Sequence, residues 1–184
     1  MERPILFSGE MVKAILAGRK TQTRRVVKPQ PDGGPWPNAA SHIEWCDLVA
    51  DTDYYVASGH CPYGKVGDRL WVRESWLRIG ASADVWYKAD DVFLEGSTPW
   101  RPSIHMPRWA SRITLEIIGI RVEELRAISE EDAKREGVVA WHDTSNGTVY
   151  KPEFRALWDS INDKRGYGWG MNPWVWVIEF EIER

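Results

Sequence analysis

The stretch Gly18-Arg19-Lys20-Thr21-Gln22-Thr23-Arg24-Arg25 decides how this chain is read. From residue 19 to residue 28 the segment carries five cations, Arg19, Lys20, Arg24, Arg25 and Lys28, and no acid. The whole chain has a formal net charge of −3, so this basic character is local. Lys20 and Thr23 stand three residues apart, enough for a nucleophile and its activator. A polyanion site, a small catalytic centre and a solvated basic turn are all compatible with these residue types.

Upstream, Pro4-Ile5-Leu6-Phe7 reads as a short buried strand. Ser8 caps a helix over residues 9–17, with Met11, Ile15 and Leu16 as its apolar face, Val12 at the edge and Gly18 as its stop. Downstream, residues 29–66 are rich in Pro, Gly, Asp and Asn. They read as a long surface insertion, with a hairpin around Tyr54-Tyr55-Val56.

Strand signals then sharpen. Asp68 to Glu74 is a strand entered through a Gly-Asp turn, and Val85-Trp86-Tyr87 is a second. From Arg112 to Val122, Ile113, Leu115 and Ile117 alternate with Thr114 and Glu116. Ser129 caps a short helix whose first turn is acidic and which ends at Gly137. Pro152 opens a longer helix with the stripe Phe154, Leu157, Trp158, Ile161. The closing strand, Trp174 to Ile182, puts Trp174, Trp176, Ile178 and Phe180 on one face and Glu179 and Glu181 on the other. Strands with interspersed short helices, and no βαβ rhythm, predict an α+β fold: a compact β-barrel with peripheral helices, one domain over residues 1–184.

Hydrophobic residues make up 43% and charged residues 28%, the balance of an ordinary soluble domain. No apolar run reaches the roughly 18 residues of a membrane span, and Glu2, Arg3 and Pro4 interrupt any apolar signal core. A cytoplasmic protein without membrane partners is expected. A net charge of −3 argues against a general nucleic-acid coat, but not against a local basic groove. Cys46 and Cys61 make no disulfide framework. With His42 and His60 their spacing is poor for zinc, so no metal is expected. The chain has twelve tryptophans, several beside cations. Most are expected in the core, with a minority as stacking platforms for bases.

The layout resembles the ASCH domain, a relative of the PUA RNA-binding fold. That family carries Gly-x-Lys-x-x-Glu-x-Arg after its first helix, matched here by Gly18, Lys20, Thr23 and Arg25. Thr23 in place of the glutamate, together with the run Ile15 to Thr21, resembles the small bacterial ASCH enzymes that hydrolyse N4-acetylcytidine to cytidine and acetate. Their threonine, lysine and glutamate map onto Thr23, Lys20 and Glu136. The likeness covers residues 5–25, 112–137 and 173–182. Residues 29–66 and much of 80–110 have no counterpart in the small enzymes, and larger phage and prophage ASCH-like proteins look closer overall.

The resemblance implies amide hydrolysis of N4-acetylcytidine or a related acylated nucleoside, with no cofactor. Thr23 would be the nucleophile, Lys20 its base, and Glu136 an orienting group or a proton shuttle to the leaving amine. A strict strand from 20 to 25 would separate Lys20 from Thr23 onto opposite faces, so this chemistry requires a turn or bulge there. Arg24, Arg25, Arg69 and Arg73 are candidate phosphate or base-edge ligands, and Trp71 and Trp76 candidate stacking surfaces. The alternative is a non-catalytic module binding RNA or modified nucleic acid in the same cleft. A ribonuclease is a weaker third reading. Without any catalytic role, Lys20 binds phosphate, Thr23 caps a turn and Glu136 is an exposed helix-end acid.

Overall fold

The structure is a computed structural model that describes residues 1–30, 61–78, 84–91, 99–143 and 147–183. The expected hairpin at Tyr54 to Val56, and most of the 29–66 insertion, lie outside those residues. The elements are β1 (Glu2–Leu6), α1 (Gly9–Leu16), β2 (Gln22–Val26), β3 (Arg69–Arg73), β4 (Trp76–Arg78), β5 (Val85–Tyr87) and β6 (Thr114–Glu124). There follow α2 (Glu130–Arg135), β7 (Trp141–Asp143), β8 (Gly147–Val149), α3 (Lys151–Asn162) and β9 (Trp174–Ile182).

Five strands form one mixed sheet in the order β1-β3-β6-β9-β2, with β1 parallel to β3 and the other neighbours antiparallel. The pairs β4–β5 and β7–β8 are separate two-stranded sheets. This is an α+β arrangement. The outer strands of the main sheet are β1 and β2, and a side chain spans them: Arg25 Nη2 donates to Leu6 O at 2.6 Å.

β9 is covered on both faces. Trp176, Ile178 and Phe180 enter one core with Val12 and Ile15 of α1, while Val175 and Val177 enter another with Ala133 of α2 and Phe154 and Trp158 of α3. Each large apolar side chain buried this way stabilises by about 1.5–3 kcal/mol. Glu179 is half-buried and Glu181 exposed, as the alternation predicts; Trp174, expected buried, is half-buried. In α1 the buried residues are Val12, Ala14 and Ile15, and Leu16, expected on the apolar face, points to solvent.

A bulge in β6 decides what faces what. Leu115 and Ile117 pair with Ile182 and Phe180, the register shifts between Ile117 and Gly119, and Ile120 and Val122 then pair with Ile178 and Trp176. The extra residue moves the inward positions from odd to even numbers. Arg121 and Glu123 are thereby turned out of the α1 core and onto the side of α2 and α3. Simple alternation, as read from the sequence, would have pointed them inward.

Candidate active-site cleft

β2 leaves the regular strand between Lys20 and Gln22, where a shared site for Lys20 and Thr23 was expected to need a turn or bulge. The ladder to β9 begins at Gln22, and Lys20 pairs with Glu136 in an isolated bridge. Between them Thr21 donates its N–H to Arg135 O at 3.0 Å, and its carbonyl accepts from Phe180 N at 2.9 Å. This break brings Lys20, Thr23 and Glu136 to the border of one cleft of about 720 Å³, within the range of small-molecule sites. Gly137, at φ +83°, permits the close packing. A Cβ there would lie 2.6 Å from Lys20 Cβ and 2.9 Å from Ala14 Cβ.

Lys20, Thr23 and Glu136 are each 4% exposed or less. The Lys20 ammonium donates to Glu136 Oε2, Glu136 O and Gln22 O, each at 2.8 Å. Burial drives the Lys20 pKa below its ordinary value, outweighing the opposing pull of Glu136. The Thr23 hydroxyl makes no hydrogen bond among the described residues. Glu136 also accepts from Arg24 Nη1 at 3.1 Å on its other oxygen.

Arg24 extends this pair into a network. Its Nε donates to Glu123 Oε1 at 3.1 Å and its Nη2 lies 3.5 Å from Asp132 Oδ2. Arg121 joins Glu123, Asp132 and Glu179 from the far side. Burial works to raise the Asp132 carboxyl, but Arg121 and Arg24 together hold it below the usual aspartate range. With its amide nitrogen turned toward Asp132, Gln22 donates there at 3.2 Å and accepts from Arg24 Nη1 at 2.6 Å. Arg24 is thus committed to acids and to the Phe154 face, 5.8 Å away.

Arg25 differs. Its guanidinium lies 5.2 Å from the Phe7 ring centroid, and burial lowers its pKa. Phe154, Leu157, Trp158 and Ile161 of α3, with Tyr167, line the same cleft as an apolar and aromatic wall. The helical stripe of α3 therefore serves two purposes: Phe154 and Trp158 are buried, while Ile161 is 47% exposed on the cleft.

The remaining candidates do not border the cleft. Arg69 pairs with Glu183. Arg73 donates to Met106 O and Ile104 O and lies over Trp71 at 5.3 Å. Trp76 is buried beside Met106 and Ala110, edge-on to Trp109. Of the four Cys and His residues weighed for zinc, only Cys61 lies in the described residues, where it is buried. Gln22, Arg121, Glu123, Asp132 and the α3 wall were not singled out from the sequence for this site. The available signal was the pair of charges inside apolar β6.

No family model matches the sequence, and no curated protein matches it. Its structure is similar to the crystal structure of an ASCH domain from Lactobacillus crispatus JV V101, at 11% identity and a TM-score of 0.42, over 94% of this chain and 69% of that one. Among the described residues no helix is long and apolar enough to cross a membrane.

Proposed function

We propose that the protein is an amidohydrolase that removes the acyl group of N4-acetylcytidine or a related acylated nucleoside. One observation carries this reading: Lys20, Thr23 and Glu136 border one cleft, and only the Thr23 hydroxyl among them is free of hydrogen bonds within the described residues. The cytosine ring lies against the aromatic wall. Thr23 Oγ1 attacks the amide carbonyl carbon. Its proton passes to Lys20 Nζ as a proton moves from Nζ to Glu136 Oε2, so the ion pair takes up one proton as a unit. The C–N4 bond then breaks and the pair returns the proton to N4. Water attacks the resulting Thr23 ester, and the acid leaves as the hydroxyl re-forms. The pair thereby serves as a base although a carboxylate touches the lysine.

A second reading has an observation of its own. Lys20 directs three hydrogen bonds at protein oxygens, as a lysine that only anchors a loop would do. On that reading the cleft binds RNA or modified nucleic acid without turnover. Incubation with N4-acetylcytidine, followed by chromatography, separates the two. Cytidine released by the wild type and not by Thr23→Ala is the expected result. No release, with RNA affinity that falls as salt is added, would establish the binding module instead.

A further inference from the structure

The cations bordering the cleft fall into two groups. Lys20 and Arg24 are held by Glu136 at 2.8 and 3.1 Å. Arg25, Lys28 and Arg165 border the same cleft and have no acidic partner among the described residues. Arg25 makes one hydrogen bond there, to Leu6 O, and its Nε is buried with no partner. The Lys28 ammonium sits 5.3 Å from the ring centroid of Tyr167, two residues along the chain from Arg165. Cations left without acids at a concave site, in a chain of net charge −3, favour an anionic ligand.

We infer that Arg25, Lys28 and Arg165 form an anion subsite, and that the ligand of the cleft is a nucleoside monophosphate rather than a bare nucleoside. This rests on the nucleoside reading given above and names the substrate form. Thr23 and Arg25 pair with Ile178 and Trp176, so they share one face of β2, about 7 Å apart along the strand. Lys28 follows just beyond its end. A ligand with its amide at Thr23 therefore extends along β2 toward the free cations. The arginine fork matches two phosphate oxygens, and the lysine supplies a point charge.

The test uses the full chain and titration calorimetry with cytidine, cytidine 5′-monophosphate and a cytidine dinucleotide. The same titrations are run on the double variant Lys28→Gln/Arg165→Gln, both sites being exposed. The monophosphate is expected to bind at least about tenfold tighter than cytidine, and most of that margin to vanish in the variant. Equal affinities in the wild type would overturn the subsite and leave the nucleoside reading standing. A margin that survives in the variant would overturn the three-cation subsite by removing Lys28 and Arg165 from it. A dinucleotide that binds tighter than the monophosphate would assign the subsite to the phosphodiester of a chain, and overturn the mononucleotide. Preference for the monophosphate, with no turnover of either N4-acetylcytidine or its 5′-monophosphate, would keep the subsite and sink the hydrolase. No binding of any ligand would overturn both.

Discussion

The Nζ of Lys20 lies 2.8 Å from Oε2 of Glu136, with the two side chains 2% and 5% exposed. Taking both charges out of water is costly, and the pair is tolerable because the remaining donors and acceptors are satisfied by Gln22 O, Glu136 O and Arg24. Such a pair is sensitive to the loss of one member and far less so to the loss of both.

Glu136→Gln is expected to lower stability by about 3 kcal/mol, because it leaves the Lys20 charge buried without its counter-ion. Lys20→Met combined with Glu136→Leu should recover most of that loss while remaining inactive. Urea melts of Lys20→Met, of Glu136→Leu and of the double variant measure it. A double variant as unstable as the sum of the singles would contradict the coupling.

Thr23→Ala removes a hydroxyl without a hydrogen bond among the described residues, so stability should change by less than about 1 kcal/mol. Turnover of the acylated nucleoside should fall by about a thousandfold or more, and Thr23→Ser should restore part of it. Single-turnover rates alongside thermal melts decide the point. Undiminished turnover in the alanine variant would remove Thr23 as nucleophile.

Burial lowers the Lys20 pKa against the raising effect of Glu136. The unfolded chain then binds more protons than the folded one between that lowered value and the ordinary lysine value of about 10.4. Stability contributed through this group therefore rises with pH across that window. Lys20→Arg, which stays protonated, should flatten that rise, as read from urea melts taken across the window.

Gly137→Ala and Gly18→Ala separate close packing from backbone strain. Both glycines have positive φ, +83° and +69°, but a Cβ meets nothing within 4 Å at Gly18 and lies 2.6 Å from Lys20 Cβ at Gly137. Gly18→Ala should cost only the left-handed penalty of about 1–2 kcal/mol and keep activity. Gly137→Ala should cost clearly more and displace Lys20, with loss of turnover. Equal melting temperatures for the two variants would refute the contact.

The local signals in this chain are carried by residue types within a few positions of one another, and the sequence alone determined what depends on them. Ser8 and Ser129 accept from Met11 N and Asp132 N as caps, Gly18 and Gly137 end their helices with positive φ, and β9 runs over the expected residues. The motif Gly18 to Arg25 likewise marked the segment whose Lys20, Thr23, Arg24 and Arg25 line the cleft. Other features depend on pairings distant in sequence, and only the tertiary structure decided them. Register in a sheet has a period of two, so one bulged residue in β6 sent Arg121 and Glu123 to the far face, where they join Arg24. Composition cannot tell a stacking platform from a core ring, and Trp76 went to a core while the α3 stripe became a cleft wall. Which cations stay free depends equally on partners a hundred residues away. Glu136 claims Lys20 and Arg24, and Arg25 is left facing the cleft.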